Sequence, residues 1–387
     1  MKKFIVLLLV SQCAFSLFGQ SEALDYYAGR FKRATSVGEQ LNVLQSVSSE
    51  HADGSASFFA DALKTLLWQL PDTRTLKEKI AFEECLRIIT DQISQQQYAE
   101  AAPDLWRVVE RFSNPIIRSD ALIALGALGD TNYLHRIIRF LDQNTLYQTK
   151  TREDGERLAY GAITALGSLG DASAYMPVFA AANGWYSTWI KAYAEETLTK
   201  LAEDPSEELI KGINNTFYPY QTRYQALIAL DESSAPDESK SLGAQEALSE
   251  GWTHSPLTSR EVVLIRKRAI AMLGKYGVSD ERVYTLLWRS YQQSYDMEEQ
   301  FAVVSTLSQL GTDEAVKLLV SFIFDINEHH RYGTLRETDE RLIRALIPAL
   351  HETGSSEGDS VLREITLVDW TSNIHELARQ SITDSAK

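Results

Sequence analysis

Histidine, cysteine and acidic side chains could perform chemistry in this sequence, but their spacing does not define a reaction centre. The seven histidines and two cysteines are scattered along the chain. His329 and His330 follow Glu328, but neighbours on a chain point apart, and no His-Glu-x-x-His spacing occurs. The sequence also has no glycine-rich phosphate loop after a strand and no Gly-x-Ser-x-Gly turn. We therefore expect no metal, no cofactor and no catalytic residue.

Two pairs of neighbouring acidic residues, Glu83 with Glu84 and Glu195 with Glu196, keep an enzymatic alternative open. General acid–base chemistry needs carboxyl groups that face one another in a cleft. A closed ring of helices with converging carboxylates would supply such a cleft. Solvated helix carboxylates are the simpler interpretation, and the sequence predicts a protein that is not an enzyme.

Aromatic residues form the most suggestive candidate binding surface. Tyrosine and tryptophan combine an apolar ring with a polar tip and are favoured at protein interfaces. We predict that two clusters near turn residues lie side by side on one exposed face: Trp185, Tyr186, Tyr218 and Tyr220. Other nearby aromatic residues are expected to pack between repeats: Trp189, Tyr193 and Tyr224.

The elements that position these residues follow from a repeated pattern. A basic residue is followed three positions later by alanine and four positions after that by leucine, often with Leu-Gly-Asp at the end. The clearest copies are Arg118–Asp130 and Tyr160–Asp171. Successive copies lie about 32 to 43 residues apart, which is within the span of two-helix repeats. Their central positions are Leu86, Leu125, Leu166, Leu198, Leu230, Leu273, Leu307, Leu350 and Ile382, with Leu44 as a degenerate earlier one.

The spacing inside each copy has a packing reason. Residues four apart lie on one helix face, so the alanine and the leucine point together into the core. Small residues such as Gly126 and Gly167 let an adjacent helix cross closely. The predicted core positions include Ala121, Leu125, Ala162, Leu166, Leu230 and Leu273. Glycines near the predicted helix ends are expected to adopt positive φ: Gly129, Gly170, Gly277 and Gly311.

These segments resemble HEAT repeats, in the short-repeat style of bacterial HEAT-like and phycobilisome-lyase-type proteins. Asn114–Asp130 follows the family pattern almost throughout, and the resemblance covers roughly residues 74–385. It implies that the patterned helix is the second of each pair and lines the inner surface. It also implies that the arginine at the start of that helix satisfies aspartates or carbonyls of a neighbouring repeat. A ladder that binds an acidic ligand is the alternative for these arginines, which are Arg118, Arg223 and Arg266.

Pattern and composition together predict an all-α protein, an α-solenoid of stacked antiparallel helix pairs of the HEAT/ARM-like type. Helix-favouring residues dominate, and only nine prolines occur in 387 residues. We assign residues 1–20 to a signal peptide, 21–73 to an N-terminal helical cap and 74–387 to the repeat array. Three polar stretches are expected to interrupt the repeats, the second as a flexible acidic loop: Gln143–Glu156, Asp231–Lys240 and Glu328–Glu340.

The N-terminus has the composition of an export signal. Lys2 and Lys3 precede the apolar run Phe4–Val10, which is too short to span a membrane comfortably. This predicts cleavage and export to the periplasm, with secretion or lipid attachment at Cys13 as alternatives. No later apolar run is long enough for a transmembrane segment in the mature chain. Cys85 is then the sole remaining thiol, so it has no intrachain disulfide partner and is expected to be buried.

The charge and the lack of catalytic motifs define the predicted function. A formal net charge of −15 argues against binding to nucleic acid or to anionic membrane surfaces. We therefore predict an exported, non-catalytic scaffold or adaptor that binds another protein through a curved helical-repeat surface. The alternative is a cell-wall or carbohydrate-associated protein that uses the aromatic clusters, because aromatic rings also stack on sugars. Neither reading identifies the partner.

Overall fold

The computed structural model describes residues 22–50, 54–68, 75–148, 151–253, 259–277 and 280–384. These residues form twenty α-helices joined by turns and short 3₁₀ segments, without a strand. The predicted all-α solenoid class is therefore confirmed. The predicted signal peptide and Cys13 lie outside the described residues. The chain divides into two compact units, Met1–Glu203 and Asp204–Lys387, a division that falls inside the predicted repeat array.

In the first unit, helices alternate between two rows. From the second pair onward the two helices of each pair pack against one another, and successive helices of the second-helix row also pack against one another. The second-helix row contains α2 (Val37–Glu50), α4 (Leu76–Gln95), α6 (Pro115–Ala127), α8 (Arg152–Leu169) and α10 (Thr188–Leu201). The first-helix row contains α1 (22–33), α3 (Ala56–Trp68), α5 (Ala102–Arg111), α7 (Leu134–Leu146) and α9 (Tyr175–Ala182).

The second unit repeats this arrangement. Its second-helix row contains α12 (Tyr220–Glu232), α14 (Arg260–Tyr276), α16 (Met297–Leu310), α18 (Asp339–Glu352) and α20 (Ser372–Asp384). Its first-helix row contains α11 (Ser206–Asn214), α13 (Asp237–Gly251), α15 (Glu281–Gln293), α17 (Asp313–Arg331) and α19 (Ser356–Ile365). Successive members of each row pack against one another, as expected for stacked helix pairs.

The helices of the predicted N-terminal cap continue the same alternation. α2 packs against α4 as α4 packs against α6, and Leu44 on α2 is fully buried. α3 packs against both α4 and α5. The boundary placed at residue 73 thus separates α3 from α4, which pair with one another.

The alanine and leucine positions of the repeat form the core. Ala121, Leu125, Ala162 and Leu166 have no exposed surface, and Leu230 and Leu273 are equally well buried in the second unit. Burying a leucine side chain contributes about 1.5–3 kcal/mol relative to leaving it exposed. The recurring alanine–leucine face therefore stabilises one pair against the next. Cys85, on α4, is also fully buried.

The Leu-Gly-Asp ending closes one helix and begins the next. Gly129 and Gly170 have φ values of 68° and 66°, a left-handed conformation that favours glycine. The aspartate that follows accepts a hydrogen bond from a backbone N–H two residues later. Asp130 Oδ1 lies 3.0 Å from Asn132 N, and Asp171 Oδ1 lies 2.9 Å from Ser173 N. Hydrogen bonds from Ser173 lower the pKa of Asp171, so its carboxylate is favoured at this turn.

The predicted interruptions are shorter in the structure than the sequence indicated. α7 runs to Leu146 and α8 begins at Arg152, while α17 continues to Arg331. The prediction of a flexible acidic loop over Asp231–Lys240 is wrong, because α12 ends at Glu232 and α13 begins at Asp237. Helix formation reaches into these polar stretches because their residues pair with neighbouring helices.

Asp231 shows this pairing most clearly. It is buried and accepts a hydrogen bond from Lys275 Nζ at 2.8 Å, and it also pairs with Arg268 and Tyr276 of α14. Burial alone would raise the pKa of Asp231. The hydrogen bonds from Lys275 and Tyr276 and the charge of Arg268 outweigh it, and the pKa is lowered. Asp231 therefore ties α12 to α14.

We expect Asp231→Asn to lower the free energy of unfolding by about 1–3 kcal/mol at neutral pH, because charged hydrogen bonds are lost. A carboxyl with a lowered folded-state pKa stabilises the fold above its unfolded value, and this contribution is lost as pH falls through the folded pKa. The difference between the two proteins should thus vanish in acid. Urea unfolding across pH tests this. Glu232→Gln, at the exposed neighbour, should show no such pH dependence.

Candidate binding surfaces

The first predicted aromatic cluster, Trp185 and Tyr186, mainly connects neighbouring helices, and we call these two residues the clasp. Tyr186 is 2% exposed, so its predicted surface position is wrong, and Trp185 is half-buried. The Trp185 indole N–H donates to the carbonyl of Thr145 at 2.9 Å. The Tyr186 hydroxyl lies 2.9 Å from Asn144 Nδ2 and 3.1 Å from the Thr145 hydroxyl. Burial raises the pKa of Tyr186 to about 12, although Thr145 and Asn144 act in the opposite direction.

The clasp and the residue after it connect the α9–α10 junction to α7 and α8. A Cβ at Gly155 would lie 3.1 Å from Cζ2 of Trp185 and closer still to Cη2, so the indole lies directly on the backbone of α8. The Ser187 N–H donates to Glu156 Oε1 at 2.7 Å, and Arg152 donates to the same oxygen at 2.9 Å. Glu156 therefore joins the beginning of α8 to the residue that precedes α10.

The second predicted cluster belongs to the other unit. Tyr218 is 4% exposed, so its predicted surface position is also wrong, while its neighbour Phe217 is exposed. Tyr220 is half-buried, and its ring lies 4.7 Å from the Arg223 guanidinium carbon. Burial raises the pKa of Tyr220. Binding by Trp185 and Tyr220 stays a prediction.

The arginines of the repeat pattern each have a separate partner. Arg118 Nε donates to the carbonyl of Val109 at 2.7 Å. Arg223 is buried and lies 3.3 Å from Glu250 of α13. Arg266 is also buried and forms two hydrogen bonds with one carboxylate of α16. The two buried arginines therefore do not form an accessible ladder. Their charged partners are glutamates rather than the predicted aspartates, while Arg118 and Arg266 also donate to backbone carbonyls, as the resemblance implied.

An exposed aromatic patch lies on α8 and α10, one turn away from the clasp. Trp189 is 60% exposed, and its ring stacks on Tyr193 with a centroid distance of 6.2 Å and an interplanar angle of 9°. Tyr160 of α8 lies 5.3 Å from Trp189 and 5.0 Å from Tyr193. The Tyr193 hydroxyl also lies 2.9 Å from the Thr164 hydroxyl. We call Tyr160, Trp189 and Tyr193 the aromatic patch.

The aromatic patch follows from the helical register of α10. Its buried positions are Ile190, Ala194, Thr197 and Leu201, spaced three and four apart on one face. Trp189 and Tyr193 each precede a buried position by one residue and so fall at the edge of that face. Leu198, the predicted central leucine, is only half-buried. This register is the signal by which the sequence could have shown Trp189 to be exposed.

An acidic groove of about 350 Å³ lies between α4 and α6 in the same row. Its walls include Glu84, Asp91 and Asp120, with Arg87 as the basic member. Arg87 lies 3.1 Å from Glu84 and 3.8 Å from Asp120. Burial raises the pKa of Asp120, against the charges of Arg87 and Arg157. A cationic group in this groove would therefore be favourable. We call these residues the acidic groove.

The acidic groove and the aromatic patch belong to one continuous row. α8 lies between them and packs against both α6 and α10. Arg157, whose charge acts on Asp120, is exposed on α8 one turn before Tyr160. Exposed apolar side chains also occur at the beginning of α4 and α6: Leu76, Ile80 and Ile116. This row thus presents acidic, apolar and aromatic groups together.

A separate groove of about 720 Å³ lies between α15 and α17 in the second unit. Trp288 is 46% exposed in it, with Tyr284 alongside and the carboxylates of Glu281 and Glu314 at its walls. The Tyr284 hydroxyl lies 2.7 Å from that of Thr312. No motif marks these residues in the sequence, because Trp288 occurs alone within a helix.

The remaining polar candidates are engaged in local contacts. His330 stacks on Trp370 with a centroid distance of 4.0 Å, and His329 lies 3.5 Å from the buried Asp339. Glu196 pairs with Lys200 at 2.8 Å. Within the described ranges, no group of three or more histidine, cysteine or acidic residues is arranged to hold a metal ion. None of the described helices combines the length and the apolar character that a membrane span requires.

One match to a protein family agrees with the repeat architecture. Residues 117–143 match the family model of the PBS lyase HEAT-like repeat, and repeats of this kind generally serve as scaffolds for protein interaction. A solved structure described as an engineered protein is similar to this chain at 17% identity, covering 94% of this chain and 99% of that one, with a TM-score of 0.34. No curated protein matches the chain.

Proposed function

We propose that this chain is an exported, non-catalytic scaffold that binds another protein through the second-helix row of its first unit. The aromatic patch carries the proposal, because Trp189 stays largely exposed while its ring stacks on Tyr193. Tryptophan and tyrosine held rigidly at a surface are typical centres of binding energy. Exposed aromatic surface is unfavourable in water, so its burial beneath a partner would favour binding.

The acidic groove defines the chemistry of the partner. Asp120 is partly desolvated, and Glu84 and Asp91 add further negative charge. A lysine or arginine side chain would be attracted there, and a large apolar or aromatic side chain would pack on Trp189. The partner is therefore a protein that presents a basic residue and a large apolar residue on one surface. Such a partner also suits the overall negative charge of the chain.

Trp189→Ala should weaken partner binding by roughly 30-fold or more, about 2 kcal/mol, because a stacked aromatic anchor is lost. A photo-crosslinking residue at position 189 would first identify the partner in the native cell envelope. Its affinity for purified partner would then be measured by titration. Trp68→Ala is the matched control, since Trp68 is 82% exposed at the end of α3 and lies outside this row.

Two outcomes would contradict the proposal. One is equal binding by Trp189→Ala and Trp68→Ala, and the other is no more crosslinking at position 189 than at the exposed Tyr295. Trp185→Ala separates stability from binding. It should lower the free energy of unfolding by about 2 kcal/mol, because a half-buried indole and its hydrogen bond to Thr145 are lost. Trp189→Ala should leave unfolding almost unchanged.

Export is supported by Lys2 and Lys3 ahead of the short apolar run. It agrees with a single thiol in the predicted mature chain, Cys85, which is stable as a buried apolar group. Mass spectrometry of the protein from a periplasmic fraction would locate the new N-terminus. A mature chain that retains Met1, or one found only in the cytoplasm, would contradict export. A diacylated peptide beginning at Cys13 would show a lipid anchor instead.

Association with cell-wall carbohydrate is the second candidate function. The groove at Trp288 favours it, since an exposed indole beside Glu281 and Glu314 offers a stacking surface and hydrogen-bond acceptors for sugar hydroxyls. Sedimentation with purified sacculi distinguishes the two functions. Co-sedimentation that Trp288→Ala abolishes and Trp68→Ala retains would favour the carbohydrate function.

A further inference from the structure

A second groove of the first unit has the opposite charge. It lies between α5 and α7 with α6 at its base, and its volume is about 350 Å³. Three arginines line it, Arg118 from α6 and Arg136 and Arg139 from α7, together with Trp106 and Phe140. It shares no lining residue with the acidic groove or the aromatic patch. We call it the arginine groove.

Aromatic rings hold two of the guanidinium groups in place. The Arg118 guanidinium carbon lies 5.0 Å from the centre of the Phe140 ring, while its Nε donates to the carbonyl of Val109. The Arg136 guanidinium carbon lies 5.8 Å from the Trp106 ring. A planar guanidinium that stacks on an aromatic face keeps its N–H groups directed outward from its edge. Arg118 and Arg136 are thus oriented before any ligand arrives.

The arginines of the arginine groove are not paired directly with carboxylates. In the described part of the chain, no carboxylate oxygen lies within 4.0 Å of a guanidinium nitrogen of Arg118, Arg136 or Arg139. The carboxylate at the groove wall, Glu110, instead accepts a hydrogen bond from the Trp106 indole at 2.6 Å. Three neighbouring arginines without a paired carboxylate are unusual in a chain with 53 acidic and 38 basic residues.

The uncompensated charge has an energetic cost. Arg136 and Arg139 are three residues apart on α7, so their like charges repel one another on one helix face. Burial of Arg118 lowers its pKa, which means that its charged form is disfavoured by its surroundings. A negatively charged group in the groove would reverse both effects. The arrangement is therefore more favourable with an anion bound than without one.

We propose that the arginine groove binds an oxyanion that carries two or more negative charges, presented as phosphate or as clustered carboxylate. Guanidinium groups suit both, because their paired N–H donors match the spacing of two oxygens on one anion. The groove has room for a small ligand but is open, so the anion can belong to a free metabolite or project from a larger molecule. This site is independent of the function proposed for the second-helix row.

Isothermal titration of the full chain with sodium pyrophosphate and, separately, with sodium citrate tests the proposal at low ionic strength. At least one of the two should bind with a Kd below about 1 mM, and 0.5 M sodium chloride should weaken it strongly. Arg136→Gln combined with Arg139→Gln should weaken binding roughly tenfold for each guanidinium removed. Both side chains are exposed, so the double variant should keep its melting temperature.

The matched control is Arg331→Gln combined with Arg363→Gln, which removes two exposed arginines of the second unit and changes the net charge equally. It should bind as the unchanged protein does. Binding of pyrophosphate alone would assign the groove to phosphate, and binding of citrate alone would assign it to carboxylates. Binding of neither anion, or equal weakening by the two double variants, would overturn the proposal.

Discussion

Replacing Glu299 with alanine should lower the free energy of unfolding by about 3–5 kcal/mol, because it leaves the Arg266 charge buried without a partner. Both side chains are almost fully buried, Glu299 on α16 and Arg266 on α14. The two Arg266–Glu299 hydrogen bonds measure 2.8 and 2.9 Å. This pair links two successive helices of the second-helix row.

Further contacts complete the surroundings of the pair. Arg266 Nη1 donates to the carbonyl of Gly251 at 3.1 Å, and its guanidinium carbon lies 4.0 Å from the centre of the Trp252 ring. The Ser294 hydroxyl donates to Glu299 at 2.6 Å. Removing the carboxylate therefore leaves several groups without their charged partner, and buried groups in this state destabilise the fold most.

Glu298→Ala is the control for this prediction. Glu298 is the chain neighbour of Glu299, but it is exposed and pairs with Lys267 at the surface. Surface ion pairs contribute about 0–1 kcal/mol, so this variant should unfold almost as the unchanged protein does. Equal losses in urea unfolding of the two variants would show that burial of the Arg266–Glu299 pair is unimportant. Replacing both members of the pair by apolar residues should recover much of the loss.

The buried pair illustrates what the repeat pattern could predict. The pattern identifies Arg266 by its position three residues before Ala269 and predicts a structural role for it. It did not identify Glu299, because that glutamate follows no motif and is one of many on the helices. The partner depends on how α14 and α16 stack, which involves residues more than thirty positions apart. Local spacing does not contain this information.

The burial of the aromatic residues also depends on contacts that local spacing does not contain. Trp185 and Trp189 are four residues apart and have similar composition around them. Trp185 precedes α10 and can reach back to Thr145, whereas Trp189 lies on the helix, one position outside its buried face. The sequence predicts Trp185 at an exposed face and Trp189 packed between repeats, whereas Trp185 is half-buried and Trp189 is 60% exposed. The difference is the indole N–H of Trp185, which donates to the carbonyl of Thr145.

The small residues of α6 and α8 were the more predictable part of the fold. The sequence placed Gly126 where an adjacent helix crosses, and the structure shows that helix to be α8. A Cβ at Gly126 would come within 2.8 Å of the carbonyl oxygen of Ala165 and 2.9 Å of its Cβ. The contact is reciprocal, since a Cβ at Gly161 of α8 would lie 2.7 Å from Cα of Ser119 on α6. Close approach at two points makes this crossing tight.

Gly126→Val should therefore lower the free energy of unfolding by about 3 kcal/mol, at the upper end of what overpacking costs. The added atoms meet the backbone of Ala165, which has no rotamer by which to withdraw, so α6 and α8 must move apart along their length. Separation of these helices would also expose the alanine and leucine core between them. Urea or thermal unfolding of the full chain measures the loss.

Gly38→Val on α2 is the appropriate comparison, because Gly38 is exposed and a Cβ there would meet only the Ser36 hydroxyl at 3.9 Å. Its effect should stay within about 0.5 kcal/mol, as for most surface substitutions. If Gly126→Val unfolded together with Gly38→Val, the close crossing of α6 and α8 would be disproved. The stacking of one helix pair on the next depends on such crossings, and the position of the aromatic patch on α8 and α10 depends on that stacking in turn.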